Sequence, residues 1–397
     1  MAQRPHLHAT VRATGWVSFF TDLSSEMIYP LLPLFLVGAL HAGMPFVGVV
    51  EGLAETTASL LKLLSGSWSD RCRARRPFVL VGYCLSSFSR PLMALATAPW
   101  HVLAMRVSDR VGKGLRGAPR DALIADVTPP DQRGRAFGYQ RAMDHAGAAL
   151  GPLVAFGLLH GLHWELRWIF GLAALPGLLA ALAIVGWVHD PPRHDQDEVA
   201  PTPFVRASWR TLDARLLRVI AIIALFTLGN SSDAFLILRA RALGVPMAWV
   251  PILWVALHLV KTVTSTPGGA LSDRVGRKRL IVGGWLVYAL VYLGFGLAHS
   301  AWQVWALFAV YGVYFGLTEG TEKALVADLA GKERKGAAFG VYTFAVGVAA
   351  LPASVLMGVV WELVGPLAAF GCGGALALAA SALLWRCVPE SAPQSAT

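Results

Sequence analysis

Of 397 residues, 55% are hydrophobic and only 15% charged, with a mean hydropathy of +0.55; a soluble domain carries about 25% charged residues. That balance excludes an ordinary cytosolic enzyme, a disordered tail and a nucleic-acid-binding domain, despite a net charge of +10. The 40 glycines suit closely packed transmembrane helices, and four cysteines without paired spacing (Cys72, Cys84, Cys372, Cys387) read as reduced thiols.

Apolar blocks follow one another at 14–40, 45–68, 77–97, 100–124, 136–160, 166–188, 216–240, 247–271, 279–298, 301–326, 337–360 and 366–388. Each supplies the roughly 20 residues a helix needs to cross a bilayer. None alternates as a membrane β-barrel strand does, and backbone groups in lipid have to be paired internally. The chain is therefore expected to be an all-α membrane protein of twelve transmembrane helices. The first block is too long for a cleaved signal and lacks a small-x-small exit site.

Ionisable side chains inside a bilayer are costly, so each one marks a functional candidate. The first span carries Asp22 and Glu26, four apart on one face, and the second carries Glu51 and Glu55. The fourth is the most heavily charged. At about 100° per residue, Arg106, Asp109, Arg110, Lys113, Arg116, Arg120 and Asp121 fall within one arc of about 140°. Val107, Leu115, Ala118 and Ala122 lie opposite. The fifth span holds Arg141, Asp144 and His145, followed by Gly147, Gly151 and Pro152. The stretch 189–215 opens on Asp190-Pro191-Pro192 and runs polar. From Phe204 to Arg218 it sets Trp209, Leu212 and Leu216 at helical spacing among arginines, which predicts an amphipathic helix on the inner membrane surface. Asp233 lies in the seventh span, His258 and Lys261 in the eighth, and Glu319, Glu322 and Lys323 in the tenth. His41, His101, His160, His163 and His299 fall near outer loops and read as interfacial residues, not as a metal site.

Alternate loops differ in charge. One set collects Arg71, Arg73, Arg75 and Arg76, then Arg133 and Arg135, then Arg274, Arg277, Lys278 and Arg279, then Lys332, Arg334 and Lys335. The other set holds little beyond Arg167, Arg239 and Arg241. By the positive-inside rule both termini are expected in the cytoplasm.

The chain also repeats itself. Residues 122–138 match 324–340 at an offset of 202, with eight of seventeen positions identical, among them Asp126/Asp328 and Gly134/Gly336. Gly66 and Asp70-Arg71 match Gly269 and Asp273-Arg274 at 203, and Ser24-Ser25-Glu26 matches Ser231-Ser232-Asp233 at 207. Six spans on each side give an expected organisation of an N-terminal bundle (1–188), a cytoplasmic linker (189–215) and a C-terminal bundle (216–397), with a substrate site between the halves near mid-membrane.

At these residues the chain resembles the major facilitator superfamily over essentially its whole length. The loop signature of that family stands as Gly269, Asp273, Arg274, Gly276, Arg277 and Lys278. The first-half copy keeps Gly66, Asp70 and Arg71 but continues as Cys72-Arg73-Ala74-Arg75-Arg76, without the glycine and one residue longer. The resemblance implies that Gly66, Asp70, Arg71, Gly269, Asp273, Arg274 and Arg277 gate the change of conformation. Arg110-Val111-Gly112-Lys113-Gly114 is similar to the family motif R-x-x-Q-G, whose arginine is tied to proton coupling, with lysine in place of glutamine. Gly147, Gly151 and Pro152 resemble the start of the motif typical of antiporter-type exporters, and imply close helix packing.

Two strings are decoys. Gly112-x-Gly114-x-x-Gly117 follows no strand, and Asn230-Ser231-Ser232 lies inside a span. No phosphate-binding loop or nucleophile elbow is present, so no enzyme and no cofactor is expected. The expectation is a proton-coupled secondary transporter that works by alternating access and exports a small molecule (a drug, a metabolite or a metal) by antiport. A carboxylate at mid-depth exchanges a proton where desolvation and a nearby arginine oppose each other. Glu26 and Asp233 lead as proton or cation sites, with Arg110 as the switchable partner. Asp22, Arg106, Lys113, Glu55, Asp144 and Glu319 complete the set. The basic face of the fourth span leaves proton-symport uptake of an organic anion as an alternative. A non-transporting receptor or scaffold is the alternative from another class. The expected partners are a small-molecule substrate, protons and the lipid bilayer, with no nucleic acid, and the expected form is a monomer in a bacterial cytoplasmic membrane.

Overall fold

The computed structural model describes residues 7–71, 75–129, 132–188 and 212–388; of Ser67, Asp70, Arg71, Gly134 and residues 331–336 it describes the backbone only. The helices are α1 (Ala9–Ile28), α2 (Leu32–Leu34), α3 (Met44–Arg71), α4 (Arg76–Leu92), α5 (Pro99–Asp126), α6 (Arg133–Phe156), α7 (Leu166–Leu172) and α8 (Ala174–Trp187). They continue with α9 (Ala214–Gly229), α10 (Ala234–Ala242), α11 (Val250–Val275), α12 (Arg277–Leu297), α13 (Ala301–Leu363) and α14 (Pro366–Cys387), and the described residues contain no strand.

Nine segments among the described residues are long and apolar enough to cross a membrane on composition alone. The helical stretches 9–39, 44–71 and 99–126 have the length as well, and they carry the charges of the first, second and fourth expected spans. Together they make up the expected twelve. The outer faces of the helices are apolar, as lipid requires: on α8, Leu175, Leu178, Leu182 and Val185 are all more than half exposed at 3–4 residue spacing.

Several spans depart from simple helices. The first changes pitch after α1, through a 3-10 turn at Tyr29–Leu31 and a π turn at Phe35–Ala39. Pro30 and Pro33 have no N–H to continue the ladder there. The seventh is broken between α9 and α10 by Asn230-Ser231-Ser232-Asp233. Short polar side chains compete for backbone groups at such points; the Ser232 hydroxyl accepts from the Ala234 N–H at 3.2 Å. The tenth and eleventh run on from one to the other through α13. Positions 20 apart in a straight helix lie about 30 Å apart, yet the Tyr342 hydroxyl is 3.5 Å from the Glu322 carboxylate, so α13 doubles back between them.

The chain forms two compact units, one of residues 1–32 and 57–203, the other of residues 33–56 and 204–397. In the first, α1 packs against α6 and α8, and α4 against α5. Its core draws Val17, Val79, Tyr83, Leu123 and Ile184 from α1, α4, α5 and α8. In the second, α11 packs against α13, and α12 against α13 and α14. The stretch 33–56 joins the second unit: the Met44 N–H donates to Glu362 at 3.1 Å, and Thr56 donates to the Gly347 carbonyl at 2.6 Å. Of the expected linker, 189–215, residues 189–211 lie outside the described residues; of its expected helix, Phe204 to Arg218, residues 214–218 form the start of α9.

Candidate functional site

In the first unit the site begins with a close helix contact. Gly82 of α4 and Gly112 of α5 each sit against the other's carbonyl, where a Cβ would collide. That approach carries Arg90 of α4 onto Asp109 of α5. Arg90 Nε donates to Asp109 Oδ1 at 2.9 Å, and its other arm donates to the Thr21 carbonyl of α1 at 2.8 Å. Arg106 lies 3.8 Å and Arg110 4.0 Å from the second carboxylate oxygen. Arg90, Arg106 and Asp109 are each at most 4% exposed. The Arg106 guanidinium also stands over the Tyr29 ring, 4.8 Å from its centre. About two turns further on, Arg116 donates to Ser86 at 2.6 Å and covers the Tyr83 ring at 4.5 Å.

Acidic groups of α1 and α6 complete this network. Asp144, Lys113, Glu26 and Arg116 all lie within electrostatic reach of Asp22. Gln140 donates to Asp144 at 3.1 Å and also to Ser18. Arg120 is held by Asp121 at 2.8 Å and by Ser18 at 3.2 Å. The charged arc read from the fourth span thus meets carboxylates on neighbouring helices and carbonyls at their turns. Gly147 and Gly151 of α6 press on the Phe19 and Leu23 carbonyls of α1, which sets the distance between those two helices, and Pro152 is buried beside them.

In the second unit the break before α10 leaves Asp233 accepting a hydrogen bond of 2.6 Å from Tyr311. Tyr288, Tyr292, Tyr311 and Tyr314 pack ring on ring around it. Ser231 bonds the Tyr292 hydroxyl at 3.2 Å, and Asn230 donates to Tyr314 at 3.3 Å. Lys261 of α11 stands 3.4 Å over the Phe315 ring. Glu322 is buried and accepts from the Trp285 indole N–H at 2.9 Å. Glu319 is exposed and pairs with Lys323 at 3.0 Å, while Glu55 is exposed on α3.

The gating candidates are divided between the two units. At the α11–α12 turn Arg277 bridges Asp273 at 2.6 Å and Asp328 at 3.4 Å, and donates to Ser272. Gly276 makes that turn with a φ of 101°, a conformation that favours glycine. Arg274 is exposed in the last turn of α11, Gly269 has open space beside it, and Gly66 lies against Ala118. The side chains of Asp70 and Arg71 lie outside the described residues. Arg75 bonds Asp126 at 2.6 Å, at the repeat position of Arg277 with Asp328. Among the described residues no group of three or more His, Cys, Asp or Glu is placed to hold a metal ion.

Sequence reasoning passed over Arg90 and the four tyrosines. Arg90 is a single arginine in an apolar span, which the cost of buried charge could have singled out. The tyrosines carried no such signal.

Comparison with known proteins gives one family. A sequence model of the Major Facilitator Superfamily matches residues 14–258 and 236–397. An uncharacterized MFS-type transporter of Methanocaldococcus jannaschii is 34% identical over 388 residues, covering 95% of this chain and 94% of the relative. The multidrug resistance protein MdtH of Cronobacter sakazakii is 26% identical over 317 residues, covering 79% and 77%. Among solved structures, the nucleoside transporter NupG superposes with a TM-score of 0.77 at 14% identity, over 94% of this chain and 98% of that one.

Proposed function

The chain belongs to the Major Facilitator Superfamily, and on that premise we propose that this membrane transporter exports a small molecule in exchange for protons. Both termini face the cytoplasm of a bacterial cell, and the two six-helix halves, 1–188 and 216–397, alternate access about the linker 189–215. Export is supported by the likeness to a multidrug resistance protein. The single observation that carries the reading is the mixed-sign charge network inside the apolar helices of the first unit: Arg90, Arg106 and Arg110 around Asp109, with Asp22 and Glu26 on the neighbouring helix. Charge at that depth costs stability and is kept where it performs work.

The network also weighs on cargo polarity. Arg90, Arg106, Arg110, Lys113, Arg116 and Arg120 are opposed by Asp22, Glu26, Asp109, Asp121 and Asp144, so the two signs nearly balance. A near-balanced interior favours a cationic or zwitterionic cargo drawn to Glu26 and Asp233 over an anion drawn to the arginines. The cargo and the proton compete for these carboxylates, and Arg110 is the switchable partner of Glu26 within the first unit.

Proteoliposomes under an imposed pH gradient test this, with ethidium as the cationic probe and benzoate as the anionic one. Ethidium is expected to move against the proton flow in the wild type, and Glu26→Gln and Asp233→Asn are expected to lose that dependence on the gradient. Unchanged coupling in both variants, or benzoate moving together with protons, overturns the reading.

A further inference from the structure

The internal repeat puts an ionisable side chain at the same register in each unit, half-buried in the first and buried in the second, and the two have opposite sign. In the first unit Ser18 is a hub: it bonds Arg120 at 3.2 Å and Tyr83 at 3.1 Å, and accepts from Gln140. At an offset of 202 in the second unit, Glu322 stands for Arg120, Trp285 for Tyr83 and Tyr342 for Gln140. The same three helical positions therefore build both sockets. One holds a guanidinium, which stays charged in proteins. The other holds a carboxylate.

The groups that hydrogen-bond Glu322 are neutral. Its carboxylate accepts from Trp285 Nε1–H at 2.9 Å through Oε1, and Tyr342 Oη lies 3.5 Å from Oε2. Trp285 is fully buried and stacked on Phe226 at 4.4 Å, so the indole donor is fixed in place. The other groups facing Glu322 are the phenol of Tyr314 and, on its own helix, Lys323 and Glu319, which pair with each other. Among the described residues no cation forms an ion pair with Glu322. A buried carboxylate among neutral partners changes its charge by binding a proton, not by exchanging a counter-ion.

We propose that Glu322 is a further site in the second unit, besides Asp233, that binds and releases a transported proton. The inference rests on the proton-coupled reading above and adds a carrier to it. An indole N–H only donates, so Oε1 stays an acceptor in both states. A phenol hydroxyl donates or accepts, so Tyr342 donates to Oε2 when Glu322 is ionised and accepts from Oε2–H when it is protonated. Uptake forms the Oε2–H bond and leaves hydronium as water; release reverses that step, and no other reactant is needed. In both states the carboxyl group keeps its two partners, the indole N–H on Oε1 and the phenol on Oε2.

Infrared spectra of the reconstituted full-length protein, recorded across a pH titration, test this without any cargo. The wild type is expected to show a protonated-carboxyl stretching band that titrates, and Glu322→Gln is expected to lose that one band. Glutamine still offers an oxygen to Trp285, and an unchanged melting temperature shows that the variant is folded. Tyr342→Phe is expected to keep the band and shift both its frequency and its midpoint, which decides the matter should Glu322→Gln not fold. A titrating band unchanged in both variants overturns the proposal, and so does a wild type without one. A Glu322 band in a protein whose ethidium transport ignores the pH gradient overturns the coupled-transport reading and leaves the proton-binding site standing.

Discussion

Asp109 faces three guanidinium groups at 2.9, 3.8 and 4.0 Å, and all but the last of these arginines are as buried as it is. Removing that one carboxylate leaves Arg90, Arg106 and Arg110 in mutual repulsion with little water to screen them. Breaking a buried ion pair from one side costs about 3–5 kcal/mol. Asp109→Asn is therefore expected to lower thermal stability in detergent by that order. Asp121→Asn is the control, because its side chain is 40% exposed; it is expected to cost about 1 kcal/mol or less. Equal melting temperatures for the two variants would show that the cluster does not hold α4 to α5. The fourth-span charges were legible in the sequence because seven ionisable residues on one arc of an apolar helix cannot all face lipid. Their partners were not. Arg90 and Asp109 are 19 residues apart on different helices, and only the Gly82–Gly112 approach brings them together.

Helices meet where small residues let backbones approach, and α1 against α6 is the tightest case in the first unit. Both Gly147 and Gly151 lie where any Cβ meets the backbone of α1. Larger side chains there force the helices apart along the face that carries Asp22 and Glu26. Overpacking of this kind costs about 1–3 kcal/mol, and displaced carboxylates lose their register with Lys113 and Asp144. Gly151→Leu is expected to lower both thermal stability and transport. Gly157→Ala, one and a half turns on with open space around it, is expected to change neither, and equal losses in the two would refute close packing as the cause. The Gly-x-x-x-Gly-Pro pattern announced a close contact without naming the partner helix. The break before α10 was invisible in a different way. Asn230-Ser231-Ser232-Asp233 sits in an otherwise apolar block of ordinary span length, so hydropathy reads one continuous helix. Its four short polar side chains, and the backbone bonds they compete for, decide otherwise.

Over the whole chain the repeat survives as chemistry even where its sequence has drifted. The first-half loop has lost the turn glycine and gained a residue, yet Arg75 Nε reaches Asp126 Oδ2 just as Arg277 Nε reaches Asp328 Oδ2. The matched stretches 122–138 and 324–340 supply the two aspartates, and the arginine adjusts to a changed loop to meet its own. Both pairs are only partly buried, with the aspartates 34% and 38% exposed. Each therefore contributes about 1 kcal/mol or less to stability. We propose that a pair retained twice at so small a contribution serves the change between conformations. Asp126→Asn and Asp328→Asn are then expected to leave the melting temperature nearly unchanged and to slow transport. Reversing the second pair, Arg277→Asp with Asp328→Arg, is expected to restore more transport than either reversal alone. The reversal also sets a second carboxylate beside Asp273, which Arg277 holds at 2.6 Å in the native protein, so rescue is expected to be partial. Rescue of that size in proteoliposomes identifies the ion pair itself as the working element. Equal defects in the single and double reversals would assign the effect to Asp273 or to the loop, and the symmetry of the two pairs would then be an inheritance without a role.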